Sequence, residues 1–393
     1  MYRKVFIVLC MVCFLISVSL AEDTGFDVED DVDIGELIQV AEEEAVKEKK
    51  DSDGAYIMTV TCTGDFTIGK DMNHKDIFSP ELKKHDGNIN FVMENVRELF
   101  LEDDLTILNF EGTLTSSGYK PSGKTKDDFI FSIDPEAVSV LPDNGVEAVS
   151  LDNNHVRDHG EEGLSDTKAA LDSAGVLYST PLETGVFNYK DRIQVAMLSY
   201  NCIDRYGTGF QKSRFRDEYT ESFLAHDTFE DAVCDEIRKA KEIYPLVIVS
   251  FHWGIEKLYT PTDNQIRLGR MAVDAGADLV IGNHSHRIQP IEFYNNSFIL
   301  YSLGNFCFAG NSKPSDMTSI IFQVRYRVKE GTVSYKDFRV IPIRISSKKD
   351  ANNFIPTIFE DGYERDSVLM VLRSKDNTKN LSYAVTEFPL EFQ

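Results

Sequence analysis

The sequence predicts an α/β fold with its chemistry at the carboxyl ends of the strands. Three observations carry that reading. From Tyr56 onward, short apolar runs alternate with amphipathic stretches, the pattern of strands and helices in turn. Glycine directly follows three amphipathic stretches, at Gly145, Gly175 and Gly276, as a left-handed C-terminal cap requires. Acid, amide and imidazole residues gather just after the apolar runs, where open α/β sheets bind ligands.

The runs Tyr56–Thr63, Leu105–Phe110, Ala148–Leu151, Arg192–Ser199, Leu246–Phe251 and Leu279–Ile281 read as strands, as do Ile291–Tyr294, Phe298–Ser302 and Thr318–Val328. Apolar spacing of three to four residues predicts helices over Phe91–Phe100, Pro135–Asn144, Gly163–Ala174, Phe229–Ile243 and Asn264–Ala275. The chain has 393 residues, 42% of them hydrophobic, which is ample for a large core. The periodic pattern weakens after Lys348. The expected organisation is therefore a body over residues 55–348 with a C-terminal appendage over 349–393.

The N-terminus reads as an export segment. Arg3 and Lys4 precede an apolar run from Val5 to Ala21, with small residues at Ser19 and Ala21. That is the layout of a signal peptide over residues 1–21, cleaved after Ala21, or of an N-terminal anchor. Residues 22–54 are strongly acidic and read as a flexible spacer, with a short helix possible over Leu37–Glu48. The expected location is extracytoplasmic, secreted or held at the cell surface. A net charge of −24 excludes nucleic acid as a partner, since phosphate contacts need clustered Lys and Arg. Beyond the leader, Cys62, Cys202, Cys234 and Cys307 show no CxxC pair or dense framework and read as buried small hydrophobes.

Five strand ends carry metal-type ligands. The first is Gly64-Asp65 and the second Asn109-Phe110-Glu111-Gly112; each alone is also a common turn. The third is Asp152-Asn153-Asn154-His155, followed by Asp158, His159 and Gly160. Its amide and imidazole donors suit a borderline divalent metal, and a loop built on Asx turns is the alternative. The fourth is His252-Trp253-Gly254 with Glu256, and the fifth Gly282-Asn283-His284-Ser285-His286. Five of the eight histidines fall in the last three motifs, and that clustering points to a metal site. Asp65, Glu111, Asn154, His252, His284 and His286 are the candidate ligands. Their mixed oxygen and nitrogen donors favour one or two zinc, manganese or iron ions over magnesium or calcium. A pair spaced about 3.5–4 Å apart binds a tetrahedral oxyanion and activates water. His155 is the candidate catalytic acid. Asn153, Arg157 and Glu256 flank the ligands as candidate substrate contacts. His159 reads as a solvated loop residue.

These motifs, in this order, resemble the CapA family of poly-γ-glutamate capsule synthesis proteins. The resemblance runs from about Ile57 to Phe308. It rests on Thr63-Gly64-Asp65, Asn109-Phe110-Glu111-Gly112 and Asn153-Asn154-His155-x-x-Asp158-x-Gly160. Further along it rests on His252-Trp253-Gly254-x-Glu256 with Gln265, Gly276-Ala277-Asp278, Gly282-x-His284-x-His286 and Tyr301-Ser302-Leu303-Gly304-Asn305-Phe306. The resemblance implies a calcineurin-like metallophosphatase-type fold, a two-sheet α/β sandwich. It implies Asp65 and His286 on a first metal, Asn154, His252 and His284 on a second, Glu111 bridging, and His155 in the general-acid place. Three positions depart from the calcineurin-like pattern. Thr67 stands where a histidine is usual, Glu111 replaces an aspartate, and Val156 replaces an acidic residue.

The resemblance implies a surface protein of poly-γ-glutamate synthesis, export or anchoring. Its partners would be a cell-surface polymer or precursor and the capsule synthesis machinery at the membrane. Metal-dependent hydrolysis or transfer is the implied reaction class. Lys70, Lys120, Lys124, Lys126, Arg157, Lys257 and Arg287 flank the motifs and could offset the repulsion of a polyanion. Two alternatives stay open: a generic metal-dependent phosphoesterase, and a non-enzymatic binding or assembly accessory. The Tyr301–Phe306 motif reads as architectural, with Asn305 satisfying nearby backbone groups.

Overall fold

The computed structural model describes residues 49–119, 124–203 and 218–392. The leader, the spacer through Glu48 with its expected helix, and Lys120 lie outside the described residues. Two units are distinguished, Met1–Ile57 and Met58–Gln393. In the first, Asp51 N–H donates to Ala55 O at 2.8 Å, and Lys50 bridges to Tyr56, closing a turn. Among the described residues no helix is long and apolar enough to cross a membrane.

The strands in chain order begin with β1 (Tyr56–Thr67), β2 (Lys70–Asp71), β3 (Leu105–Phe110), β4 (Thr113–Leu114), β5 (Phe131–Ile133) and β6 (Ala148–Ser150). Then come β7 (Leu177–Ser179), β8 (Gly185–Tyr189), β9 (Ile193–Asn201), β10 (Leu246–His252), β11 (Leu279–Asn283) and β12 (Ile291–Tyr294). The last are β13 (Ser297–Leu300), β14 (Asn305–Phe308), β15 (Thr318–Lys329), β16 (Thr332–Arg344) and β17 (Thr357–Ile358). One mixed sheet runs β17-β16-β15-β1-β3-β6-β7, with β14 also paired to β1. A second runs β12-β13-β11-β10-β9-β8, and a small third sheet runs β2-β5-β4.

The central strands β1, β3, β6 and β7 pair in parallel, as do β9, β10, β11 and β13. Parallel strands are covered on both faces, so their sequences run continuously apolar; Leu246–His252 is buried at every position. The two large sheets face each other. Leu105 and Ile107 of the first and Val195, Met197 and Ile248 of the second line one small gap, and the Phe298 ring meets Phe322 at 5.1 Å. On its outer face each sheet carries a helical layer. Phe229–Ile243 and Asp263–Ala275 pack on the second sheet, burying residues such as Val233, Ile237 and Leu268. Gly160–Ala174 packs on the first through Leu171.

Two expected helices are broken. Pro135–Asn144 divides into a 3₁₀ turn, Pro135–Ser139, and a helical turn, Val140–Asp143. Pro142 has no N–H to bond Val138, so one continuous helix cannot form there. Phe91–Phe100 divides likewise into Ile89–Met93 and Arg97–Leu101. Asn88 caps the first piece by accepting from Asn90 N–H, and Asn95 lies at the break, where Asn competes locally with the helical backbone. The long strand β16 is an addition to the sequence reading. It joins β15 through Glu330 and Gly331, both at positive φ (51° and 78°), the two-residue turn that favours a hairpin.

The segment after Lys348, read as an appendage, is laid on the body. Phe354 and Ile355 enter the first core. The helix Tyr363–Arg373 buries Val368, Leu369 and Leu372. Pro389 O accepts from Val340 N–H at 2.8 Å.

Candidate metal centre

Asp65 lies within β1 rather than beyond its end. The strand continues to Thr67, and a register shift at Asp65 turns the carboxylate inward. Gly64 serves a close approach rather than a turn, because a Cβ there would lie 1.8 Å from Gly304 O. The Asp65 side chain is fully buried. Its cross-strand neighbours are Asn109 of β3 and Asn305 of β14. Asn109 Nδ2 donates to Asp65 Oδ1 at 2.8 Å, and the His284 N–H reaches Oδ2 at 3.3 Å. His286 Nδ1 lies 3.2 Å from Asp65 Oδ2.

Glu111 follows β3 and is also fully buried. Neither of its carboxylate oxygens meets a hydrogen-bond donor. Such a group is costly unless a cation completes it. One ligand atom each from Asp65, Glu111 and His286 falls within 4.8 Å of the others. On the other side, Glu111 Oε1 lies 4.0 Å from His252 Nε2 and 3.7 Å from His155 Nε2.

His252 is the last residue of β10 and pairs in register with Asn283, the last residue of β11. Its Nε2 lies 2.8 Å from Asn154 Oδ1 and 3.0 Å from His284 Nδ1. The loop after β11 supplies His284 at φ 93° and His286 at φ 51°. These left-handed conformations are unusual for histidine and are what lets residues one apart in sequence converge. Gly282 admits the neighbouring chain, since a Cβ there would lie 2.1 Å from Tyr301 O. Trp253 anchors this edge by donating to the same Tyr301 O at 2.8 Å and stacking on Phe251 at 4.6 Å.

The six expected ligands thus form two touching groups, Asp65 with His286 and Asn154 with His252 and His284, and Glu111 stands between them. The other expected site residues fare differently. His155 is buried and donates or accepts at Nδ1 with Asp158 Oδ2, 2.8 Å away. Asn153 is buried and spent within the scaffold. Its Nδ2 donates to Phe110 O at 2.8 Å, and its Oδ1 accepts from His155 N–H at 3.0 Å. Arg157 pairs with Glu161 at 2.7 Å, one helical turn on. Glu256 is exposed, near enough to act electrostatically on Glu111 and His284. His159, expected in solvent, is fully buried, because Gly163 packs on it as the helix begins. Thr67 is buried with an unpartnered hydroxyl.

Two residues quoted in the motifs without a role, Asn109 and Asp158, prove to touch the site, as does Asn305, which was read as architectural. Asn305 Oδ1 lies 2.8 Å from His286 Nδ1 rather than serving backbone groups. Their signal in the sequence was only their motif position. Other motif residues are architectural. Gln265 completes a capping box with Thr262, and Asp278 binds Lys241 Nζ at 2.7 Å. Of the flanking cations, Lys124 pairs with Asp158, and Arg287 is buried against His286 O, Ser315 and Asp316.

The electrostatics match a cation site. Burial, then the charge of Asp65, pushes the Glu111 carboxyl well above the ordinary range. Burial and the neighbouring His284 and His286 hold His252 far below its ordinary value, and burial with His286 lowers His284 to about 4. Burial opposes protonation of His286, yet the hydrogen bond to Asp65 and the charge of Glu111 raise it to about 9. The raised values of Glu111 and His286 both reflect crowded carboxylates that a cation would relieve. The donor set, with both Glu111 oxygens free, fits one or two divalent ions of borderline softness.

Two facing mixed sheets with a carboxylate and imidazole cluster at their strand ends define the class: an α/β sandwich with a candidate metal centre at its rim. The chain belongs to the bacterial capsule synthesis protein family PGA_cap, whose model matches residues 59–310. It is 30% identical over 308 residues to the PGA biosynthesis protein CapA of Bacillus subtilis (strain 168), covering 77% of this chain and 75% of that one. It is 27% identical over 304 residues to the capsule biosynthesis protein CapA of Bacillus anthracis, covering 73% and 67%. The likeness to a solved structure is weaker. The calcineurin-like phosphoesterase YfkN of Bacillus subtilis superposes with a TM-score of 0.42 at 13% identity, over 76% of this chain and 94% of that one.

Proposed function

We propose that this protein is an extracytoplasmic, metal-dependent hydrolase or transferase. It acts on a cell-surface polymer or its precursor in poly-γ-glutamate capsule synthesis, export or anchoring, beside the synthesis machinery at the membrane. The capsule process is supported by the names of its Bacillus relatives. The location is supported by the leader-like segment Val5–Ala21. The observation that carries the reaction class is Glu111, a buried carboxylate with both oxygens unpartnered amid three histidines and a second carboxylate.

Asp65, Glu111 and His286 would hold one ion, and Asn154, His252, His284 and Glu111 a second. A divalent ion there supplies Lewis-acid polarisation of an anionic substrate oxygen. The chain's own residues do the rest. Asn109 and the His284 N–H fix the Asp65 carboxylate, and Asn305 fixes the His286 ring. His155 Nε2 faces the cluster and exchanges a proton with the leaving group.

Elemental analysis of the purified chain tests this, beside a His284→Ala, His286→Ala double variant. The expected result is about one or two equivalents of zinc, manganese or iron, lost in the variant. No bound metal after reconstitution would sink the reading. Metal without turnover of any capsule polymer, precursor or artificial phosphodiester would replace the enzyme with an assembly accessory.

A further inference from the structure

Aromatic rings outside the expected ligand set border the metal centre. Phe308, the last residue of β14, sets its ring 4.8 Å from that of His286. Phe131, the first residue of β5, sets its ring 4.7 Å from that of His155. The two phenylalanines meet edge to face at 5.6 Å, an arrangement the ring quadrupole favours. The row then runs outward. Phe129 stacks on Phe131 at 5.7 Å, and His74 lies 4.7 Å from Phe129. Exposure rises along it, from 1% at Phe131 to 36% at Phe129. One aromatic wall thus begins against a candidate ligand and the candidate acid and ends in solvent.

The small third sheet sets this wall. Phe129 and Phe131 are two apart in sequence, so extended chain puts both on one face. β2 pairs with β5 through Asp71 and Phe131. Asp71 Oδ1 accepts from Asn73 N–H at 2.9 Å and from Ile130 N–H at 3.2 Å, and its Oδ2 holds His74 Nδ1 at 2.5 Å. One carboxylate therefore ties the His74 turn to the segment that carries the phenylalanines. At the inner end Gly310 leaves room for the Phe308 ring, since a Cβ there would lie 2.5 Å from it. Phe66, Phe110 and Phe306 are closed into the first core, whereas Phe129 is held in the row and left open.

We infer that this wall is a substrate subsite, taking a flat, uncharged group joined to the anionic group that the metal centre holds. Offset stacking on a ring favours a planar partner and needs no charge. The inference rests on the proposed polymer reading, and that polymer is a polyamide with one amide plane in each repeat. The wall therefore takes the amide plane next to the reacting unit, and Phe129, its open ring, sets the preference.

Calorimetric binding of three phosphonates to the zinc-loaded full-length chain tests this without turnover. Methylphosphonate supplies the anion alone, acetamidomethylphosphonate adds an amide plane, and phenylphosphonate adds a ring. The expected result is ~5-fold tighter binding of acetamidomethylphosphonate than of methylphosphonate, the scale of one stacked contact. Phe129→Ala should bring that ratio below ~2-fold, and Phe129→Trp should keep it. Equal affinity for the two in the wild type overturns the proposal whether or not the variants fold. A preference that survives Phe129→Ala in folded protein overturns it too. A gain for phenylphosphonate alone overturns the amide assignment. If none of the three binds, the metal reading falls with the wall; if methylphosphonate binds with no preference for the amide, the wall alone falls.

Discussion

At the carboxyl end of β3, Glu111 stands among three histidines, an asparagine and Asp65. At the amino end of the same strand, Asp103 and Asp104 stand beside Glu147, with no imidazole among the contacts described. Both ends bury carboxylates and push their protonation up. Burial and then Asp65 do so for Glu111; burial and then Glu147 do so for Asp103; burial lifts Glu147 to about 7. They differ in who completes the charge. At the amino end the protein gives each carboxylate a partner, leaving Asp103 Oδ1 without one. Thr106 N–H donates to Glu147 at 2.8 Å, the Thr106 hydroxyl to Asp103 at 2.7 Å, and Lys190 pairs with Asp104 at 2.8 Å. At the carboxyl end Glu111 is left bare. A cluster of acids alone is therefore no metal site; unsatisfied oxygen beside nitrogen donors is the distinguishing feature.

The largest effect expected from this contrast is at Glu111. Glu111→Gln should weaken metal binding by more than ~100-fold, beyond the ~10–100-fold typical of an outer partner, as measured by competition with a chromophoric chelator. The same variant should melt higher than wild type when both are metal-free, because an unpaired buried carboxylate is gone. A lower melting temperature in chelator would break the comparison. Next is Asn109→Ala, which removes the 2.8 Å donor to Asp65. It should cost ~10–100-fold in metal affinity in the same titration, and unchanged affinity would show that Asp65 needs no such support.

A smaller effect is expected at the amino end. Glu147 has a folded value of about 7 against an ordinary 4.5, so the folded chain holds the extra proton between those values. Its contribution to stability is then greatest at the acidic side and falls as pH rises through that window, levelling off above it. Glu147→Gln should flatten that fall, narrowing the difference in melting temperature between about pH 5 and about pH 8 measured by calorimetry. An unchanged or widened difference would show that this end is not proton-linked. The smallest effect concerns the thiols. Cys62, Cys202, Cys234 and Cys307 are free and buried, and burial raises Cys62, Cys234 and Cys307, Cys234 to about 11. None should react with a thiol reagent before unfolding, and reductant should leave the melting temperature unchanged. Rapid labelling of any of these four in the folded chain would contradict the burial.

Much of this was legible in the chain itself. Continuous apolar runs such as Leu246–Phe251 read as buried strands, and in an open α/β sheet the polar residues that end them emerge at one rim. That sufficed to nominate Asp65, Glu111, Asn154, His252, His284 and His286. The half-buried strand Thr332–Arg344 was less legible, because charged residues interrupt its alternation and its partner strand supplies the missing order. Pro142 and Asn95 fall in helices that apolar spacing alone had drawn whole and that the structure divides.

What the sequence determined is which residue types leave the core and in what order, because burial preference is local and reads directly from composition and period. What tertiary structure alone decided is partnership. Asn153 went to Phe110 O and to Asn109 behind the ligands, and Arg157 to Glu161, while Asn109, Asn305 and Asp158 came to the site. A side chain's partner is set by strand register, loop dihedrals and packing from segments as far apart as Asp65 and His284, and a hydrogen bond that must close within about 3 Å is fixed only when all of them are in place.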